Sequence, residues 1–430
     1  MSSNTLSTPT SEQEPGGAPS GFEGDRSADS VGGIVRAYVD RVRGGDLGAL
    51  PAVLGIVVLG ILFTILRPDT FLTPLNLTNL LVQAVPITLL AMGLVFVLLL
   101  GEIDLSAGVV SGVCAAVMAQ LLAETGSPWW VAVLAALVVG VVIGVFTGSL
   151  VGIICIPSFV VTLALFLGWQ GVTLRLIGQG GTVPVRDPVI QGISNETLPV
   201  WLGWVLAVAM VLLYAALQLN RWRSQRAKNL ASEPLILVAA RIALIAVVVL
   251  GVTAVLSIDR ALSAAVTLAG VPYAIPLVLV LLLVLTFLLG RTGYGRHVYA
   301  VGGNAEAARR AGIDVTRIRV SVFVIVGLMA AVSGIAAASR LGSVTPGSGA
   351  GNTLLYAVGA AVIGGTSLFG GRGRVRDALL GGLVIAIIIN GMGLLNQPSS
   401  VIYMVTGLVL LVAASVDALS RRRAAASGRV

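Results

Sequence analysis

Charge is scarce in this sequence. Only 11% of its 430 residues are Asp, Glu, Lys or Arg, against about 25% in a soluble domain. Apolar residues make up 57% of the chain, and the mean hydropathy is +0.99. A soluble fold with this balance would expose large apolar patches and aggregate. The composition therefore excludes an ordinary soluble domain and predicts an integral membrane protein.

Residue types that carry catalysis are also rare. Lys228 is the only lysine and does not lie in the Gly-Lys-Ser/Thr ending of a Walker A loop, so this sequence contains no P-loop. The single histidine, His297, has none of the partners that a metal site or a Ser-His pair needs. Cys114 and Cys155 are expected to be buried, inert thiols. The sequence thus predicts a non-enzymatic protein without a metal or cofactor.

Long apolar runs dominate the chain. Twelve are long enough, or nearly so, to cross a hydrocarbon core of about 30 Å. They lie near 50–66, 84–100, 105–123, 129–154, 157–177, 199–219, 234–256, 271–290, 318–339, 354–370, 378–395 and 399–418. The fold class is therefore all-α, a polytopic membrane protein with about 10–12 spanning helices.

Basic residues separate the two sides of this bundle. The net charge of +8 could indicate nucleic-acid binding, but the arginines fall between apolar runs. With the N-terminus inside, 20 basic residues fall in inner segments and 4 in outer loops. That asymmetry follows the positive-inside rule, so both termini are predicted to be cytoplasmic and no nucleic-acid partner is expected.

Two domains follow from this pattern. Residues 1–48 are read as a polar disordered tail and a short amphipathic helix near 31–42, lying on the inner membrane surface or forming a plain surface helix. Residues 49–430 form the transmembrane domain. Within it, glycines recur every four residues from Gly140 to Gly152, which indicates close helix packing inside one subunit or, alternatively, a subunit interface.

The segment GEIDLSAG at 101–108 places two carboxylates between apolar runs. Carboxylates near membrane depth must be solvated, capped or paired. Asp104 precedes an apolar run and is predicted to cap the next helix, with a direct substrate or gating role as the alternative.

The largest inner loop runs from Arg291 to Arg317. Asn304 is predicted to cap a short helix that ends at Gly312. Its alanines and charges suit docking into a partner's groove, although an ordinary solvated helix has the same composition.

A third stretch, from Ala357 to Gly373, is interrupted by Gly-Gly-Thr-Ser at 364–367. Non-helical backbone at membrane depth is tolerated only beside protein or water. Together with the break at Gly101, it indicates a transport pathway. Polar residues at these breaks and in apolar runs are the candidates for the pathway or its gate: Glu102, Asp104, Ser158, Thr162, Thr366 and Asn390.

Four motifs resemble the ribose, xylose, arabinose and galactose permeases of binding-protein-dependent ABC importers. They are GEIDLSAG, PSFVVTL at 157–163, GRHVYAVGGNAEAARRAGIDV at 295–315 and IGGTSLFGGRGRV at 363–375. The order is that of the family, but Glu102 replaces its usual Gly. The two additional apolar segments near 199–270 are similar to the xylose-type permeases.

This resemblance implies a bacterial inner-membrane permease for a sugar, D-xylose first, driven by a separate ABC ATP-binding subunit. It also implies an extracytoplasmic sugar-binding protein and a second permease subunit that makes a homodimer. The EAA-x-x-x-G pattern implies an ATPase-coupling loop that contains Gly303, Asn304, Glu306, Ala307, Ala308 and Gly312. The alternatives are an ion-coupled secondary transporter, which needs carboxylates or histidines at membrane depth, and a membrane-embedded enzyme, for which the sequence offers no catalytic group.

Overall fold

The computed structural model describes residues 48–228, 234–261 and 267–426. The described chain is almost entirely helical, with one two-stranded antiparallel sheet. The polar tail and amphipathic helix predicted within 1–48 lie outside the described residues, apart from Gly48.

Fifteen helices are seen in these described ranges. They are α1 Leu50–Leu66, α2 Pro74–Leu99, α3 Ala107–Ala123, α4 Trp129–Gly152, α5 Ser158–Ile177, α6 Pro188–Asn195, α7 Val200–Ala227, α8 Leu235–Ser257, α9 Ala274–Arg291, α10 Gly293–Gly303, α11 Ala305–Arg310, α12 Val315–Leu341, α13 Thr353–Gly364, α14 Val375–Leu394 and α15 Ser399–Ala426. The strands are β1 Val183–Pro184 and β2 Ser343–Val344.

Each of the twelve predicted apolar segments corresponds to one of these helices, so the all-α polytopic prediction is confirmed. Among the described residues, nine helices are long and apolar enough to cross a membrane, and α1, α3 and α13 are shorter apolar helices.

The boundaries of four predicted segments were wrong. α7 and α15 continue to Ala227 and Ala426, beyond the predicted ends near residues 219 and 418. α2 begins at Pro74 rather than near residue 84, because its polar first turns are satisfied inside the protein: Asn76 is buried and hydrogen-bonded to Asn390. α13 ends at Gly364 rather than near residue 370, because Gly365 adopts a left-handed conformation with φ +117°.

The two cysteines also differ from the prediction. Cys114 is fully buried on α3, as expected, but Cys155 is exposed. The reason is its position in the turn that connects α4 to α5, where the chain leaves the packed helices and Cys155 takes φ +62°.

The core is built around α2, α12 and α14. In their most apolar 18-residue windows, 78%, 61% and 67% of residues are buried, against 11% in α7 and 6% in α8 and α15. The additional pair α7–α8 therefore lies at the periphery, with large apolar side chains such as Leu212 and Val247 exposed. These faces suit a lipid environment.

The glycine stripe on α4 packs against α12 of the same chain. A Cβ on Gly144 would lie 2.6 Å from the Phe323 carbonyl oxygen, and one on Gly148 would lie 2.8 Å from the Val320 Cα. Packing inside one subunit is confirmed, and the subunit-interface alternative is wrong, because the stripe is occupied.

Contacts group the loops into two sets at opposite ends of the bundle. At one end, residues 99–101, 302 and 370–371 contact each other. At the other end, β1 pairs with β2, and the Ser194 N–H donates a hydrogen bond to Ser339 Oγ. This grouping agrees with alternating crossings. The assignment of the first set to the cytoplasm remains a prediction from the charge pattern.

Candidate functional site: a glycine junction beneath an exposed helix

Three sequence motifs, distant along the chain, meet at one end of the bundle. The Gly371 N–H donates to the Leu99 carbonyl oxygen at 2.9 Å, and Gly302 packs so closely on that carbonyl that no Cβ would fit. Gly370, with φ +85°, has room only for hydrogen, because a Cβ would lie 3.0 Å from the Gly101 nitrogen. We call this contact of 99–101, 302 and 370–371 the glycine junction.

A hydrogen bond ties the adjoining loop to α10. The Tyr299 hydroxyl donates to the Gly373 carbonyl oxygen at 2.7 Å. Backbone contacts of this kind transmit displacement efficiently, because close-packed groups have little freedom to absorb it. A shift of α10 would therefore act directly on the end of α2 and on the loop after α13.

The segment from Gly101 to Ser106 is non-helical and is held by α5. The Ile103 N–H donates to Ser158 Oγ at 3.3 Å, and Thr162 Oγ1 donates to the Ile103 carbonyl oxygen at 3.3 Å. Ser158 and Thr162 are buried one helical turn apart. They therefore satisfy both polar backbone groups of Ile103, as a break in a membrane span requires.

Asp104 closes the turn that leads into α3. Its carboxylate accepts hydrogen bonds from the Ser106 N–H at 2.8 Å and the Ser106 hydroxyl at 2.6 Å. The prediction that Asp104 is the N-cap of α3 was wrong by two residues. The N-cap is Ser106, because the turn before α3 extends two residues beyond Asp104.

Glu102 forms an ion pair with Arg319 on the first turns of α12. The Arg319 Nε lies 3.3 Å from Glu102 Oε1, without the alignment of a hydrogen bond. The side chains are 27% and 16% exposed for Arg319 and Glu102, so the attraction is less screened than in a surface pair. The pair fastens the broken span to the core helix α12.

The predicted coupling loop is an exposed helix beside the junction. Asn304 Oδ1 accepts a hydrogen bond from the Ala307 N–H at 2.9 Å, so the predicted cap is confirmed. The helix α11 stops at Arg310, and Gly312 has φ +83°, the left-handed conformation that glycine tolerates best.

One face of α11 points away from the protein. Gly303, Glu306 and Ala307 are exposed, and Glu306 pairs with Arg309 at 2.7 Å and Arg310 at 3.3 Å. Ala308 is buried, so it anchors α11 to the bundle and is unable to contact a partner. Among the predicted coupling residues, only Ala308 is therefore buried against the bundle, and the others are exposed.

The two remaining candidates lie apart from Glu102 and Asp104. Thr366 Oγ1 donates to Asp377 Oδ2 at 3.4 Å, and the same oxygen accepts from the Arg374 N–H at 2.7 Å, which closes the first turn of α14. Asn390 forms two reciprocal side-chain hydrogen bonds with Asn76, of 2.9 and 3.0 Å, toward the opposite end of the bundle. Asn390 thus joins α2 to α14 and does not line the junction.

Arg319, Tyr299 and Asp377 were not singled out from the sequence, although the structure makes each a partner of the motifs. Only Arg319 left a signal: it is a charge within the start of an apolar run, where a counter-charge is required. No group of three His, Cys, Asp or Glu side chains suited to a metal occurs in the described part of the chain.

The comparisons with known proteins agree with these motifs. Residues 76–414 match the family model described as branched-chain amino acid transport system / permease component. The chain belongs to this permease family. The relatives of this permease include the xylose transport system permease protein XylH of Escherichia coli K12, 36% identical over 88% of this chain and 93% of the relative.

Other relatives bear different names. The ribose import permease protein RbsC of Bacillus subtilis 168 is 31% identical over 87% of this chain and 94% of the relative. The D-allose transport system permease protein AlsC of Escherichia coli K12 is 29% identical over 85% and 90%. No solved structure matches the permease. The resemblance drawn from the four motifs is confirmed, and so is the prediction of an integral membrane protein.

Proposed function

We propose that the permease is the membrane-spanning subunit of an ABC importer that moves a monosaccharide, D-xylose first, across the bacterial inner membrane. The observation that carries this proposal is the 36% identity to a xylose permease, which extends over 88% of the chain. The additional α7–α8 pair supports xylose, because the resemblance to xylose-type permeases includes that segment.

The proposed partners follow from the same family. A separate ATP-binding subunit supplies the energy, since this chain contains no P-loop. An extracytoplasmic sugar-binding protein delivers the substrate, and a second copy of the permease completes the pathway. The chain itself is proposed to perform no catalysis.

The geometry suggests how ATP hydrolysis reaches the pathway. The outward face of α11 docks on the ATP-binding subunit, and α11 follows α10 directly. Because Gly302 at the end of α10 packs on Leu99, a movement of α11 displaces the glycine junction. The junction adjoins the broken span, which Glu102 ties to α12. The coupling loop and the pathway are therefore connected through backbone contacts.

Uptake measurements test this function. Labelled D-xylose, D-ribose and D-galactose are supplied to a strain from which the gene has been deleted, with and without its restoration. Restored, ATP-dependent uptake of D-xylose is expected. Preferential uptake of ribose or galactose would refute the choice of xylose. Uptake that needs an ion gradient but no ATP-binding subunit would support the secondary-transporter alternative instead.

A further inference from the structure

A cavity of about 330 Å³ opens between α2, α3, α12 and α13, away from the glycine junction. Ser333, on its wall, lies 18 residues after the start of α12, which corresponds to about 27 Å along the helix axis. The cavity is thus about two-thirds of the way along α12 from the junction end. Its volume is at the lower end of the range for small-molecule pockets, about 300–1,000 Å³.

Two interrupted spans meet at this cavity. One is the span that begins with the non-helical segment after Gly101 and becomes α3, and the other is the loop after β2 that becomes α13. They are packed backbone to backbone: a Cβ on Gly349, which has φ +74°, would lie 2.6 Å from the Gly112 nitrogen. A Cβ on Gly108 would lie 2.8 Å from the Gly349 carbonyl oxygen. Such irregular backbone within a bundle is tolerated where it lines a polar cavity.

The cavity wall has the chemistry of a polyol site. It presents the hydroxyls of Ser111, Ser348, Thr353 and Tyr356 and the amide of Gln83, while its lining residues include no carboxylate. Hydroxyl and amide groups both donate and accept hydrogen bonds, as the hydroxyls of a neutral sugar do.

Arg340 is the single charged residue of the lining. It is half-buried at the end of α12, and no hydrogen bond or ion pair joins it to another described residue. Buried cations in a bundle are ordinarily paired. A planar guanidinium has several donors in a fixed geometry, which suits two neighbouring acceptor oxygens.

We propose that this cavity is a transit subsite for a monosaccharide within the permease, with Arg340 as the donor to two adjacent sugar hydroxyls. The inference rests on the proposed function and adds a place where the sugar contacts this chain. An anionic sugar acid would use the same guanidinium, so the test below separates the two ligands.

Two cavity variants and one matched control address uptake. Arg340→Gln removes the charge, and Ala337→Leu fills space on the cavity wall. Each is expected to lower D-xylose uptake at least tenfold at equal membrane abundance. Arg186→Gln changes an exposed arginine of the same end that does not line the cavity, and uptake is expected to stay within twofold of wild type.

Thiol labelling measures directly whether the sugar occupies the cavity. With Cys155→Ser as background, Ala337→Cys in the purified transporter in nanodiscs is expected to react with a methanethiosulfonate reagent. Millimolar D-xylose should slow that reaction at least fivefold, while a thiol in Arg186→Cys reacts at an unchanged rate. This measurement needs no uptake, so it remains informative if Ala337→Leu does not fold.

The outcomes are distinguishable. The subsite is refuted, and the proposed function stands, if Arg340→Gln transports D-xylose as well as wild type does and D-xylose does not slow the labelling of Ala337→Cys. Protection by D-xylonate but not by D-xylose also refutes the neutral-sugar subsite. If wild type transports no monosaccharide with its binding protein and ATP-binding subunit present, the proposed function fails.

Discussion

The outward face of α11 and the glycine just after this helix each offer a substitution that distinguishes a docking helix from a solvated one. They are Gly312→Asp and Glu306→Lys. If α11 docks on the ATP-binding subunit, both variants are expected to insert and fold but to lose sugar uptake. If α11 is only a solvated helix, both are expected to transport normally.

The cost of these changes to the fold is small. No atom lies within 4 Å of a Cβ placed on Gly312, so the penalty is the left-handed backbone itself, φ +83°, at about 1–2 kcal/mol. Glu306 is 58% exposed, and its ion pairs with Arg309 and Arg310 are each worth about 0.2–1 kcal/mol. Neither loss unfolds a helix that the buried Ala308 anchors.

The expected cost to docking is larger. A side chain on Gly312 holds α11 off its groove, and a lysine at 306 reverses the charge presented to the partner. A loss of about 3 kcal/mol weakens the complex more than a hundredfold, since every 1.4 kcal/mol is a factor of ten. Uptake should then fall to background.

Two assays check this prediction. D-xylose uptake is measured at matched membrane abundance, and the tagged permease is used to pull down its ATP-binding subunit. Glu124→Lys is the control, because it reverses an exposed carboxylate at the opposite end of the bundle. Wild-type uptake and unchanged pull-down in both α11 variants would refute the coupling assignment and leave the permease function intact.

Three further predictions concern the packing that supports the site. Asn390→Leu leaves the buried Asn76 Oδ1 without its donor, while Asn76 Nδ2 keeps its bond to the Phe71 carbonyl oxygen, and should cost about 1–3 kcal/mol, whereas the double change with Asn76→Leu should recover part of this in thermal unfolding; equal melting temperatures for the two variants would contradict the pairing. Gly144→Leu forces a side chain into the Phe323 carbonyl and should abolish folded protein in size-exclusion chromatography, so a monodisperse peak would argue against the α4–α12 contact. Glu102→Arg should reduce uptake by repelling Arg319, and adding Arg319→Glu should restore it; no rescue by the double charge exchange would show that the pair does not hold the broken span.

Local rules predicted the helices well, because each operates within one segment. Bilayer-length apolar runs must form helices to satisfy their own backbone, so all twelve runs became helical. The Asn304 cap and the left-handed Gly312 depend only on neighbours a few residues away, and both were predicted from the sequence.

The largest boundary error arose where a local rule competed with a distant partner. α2 extends to Pro74 since Asn76 finds Asn390, a residue 314 positions away, and a window of hydropathy cannot detect such a partner. The pairing of Asn390 was missed for the same reason: its amide is polar in an apolar run, which made it a pathway candidate, and nothing in the neighbouring sequence shows that a second amide satisfies it.

Sequence alone determined that this chain spans a membrane many times, contains no Walker A motif and carries the four permease motifs, because composition and short motifs are properties of the chain itself. Only the tertiary structure decided that Leu99, Gly302 and Gly370 meet and that α12 packs against the α4 glycines. It also decided that Arg340 faces a cavity whose lining contains no carboxylate. Helix packing in lipid depends on van der Waals fit and hydrogen bonds between segments, and those contacts exist only once the helices are assembled.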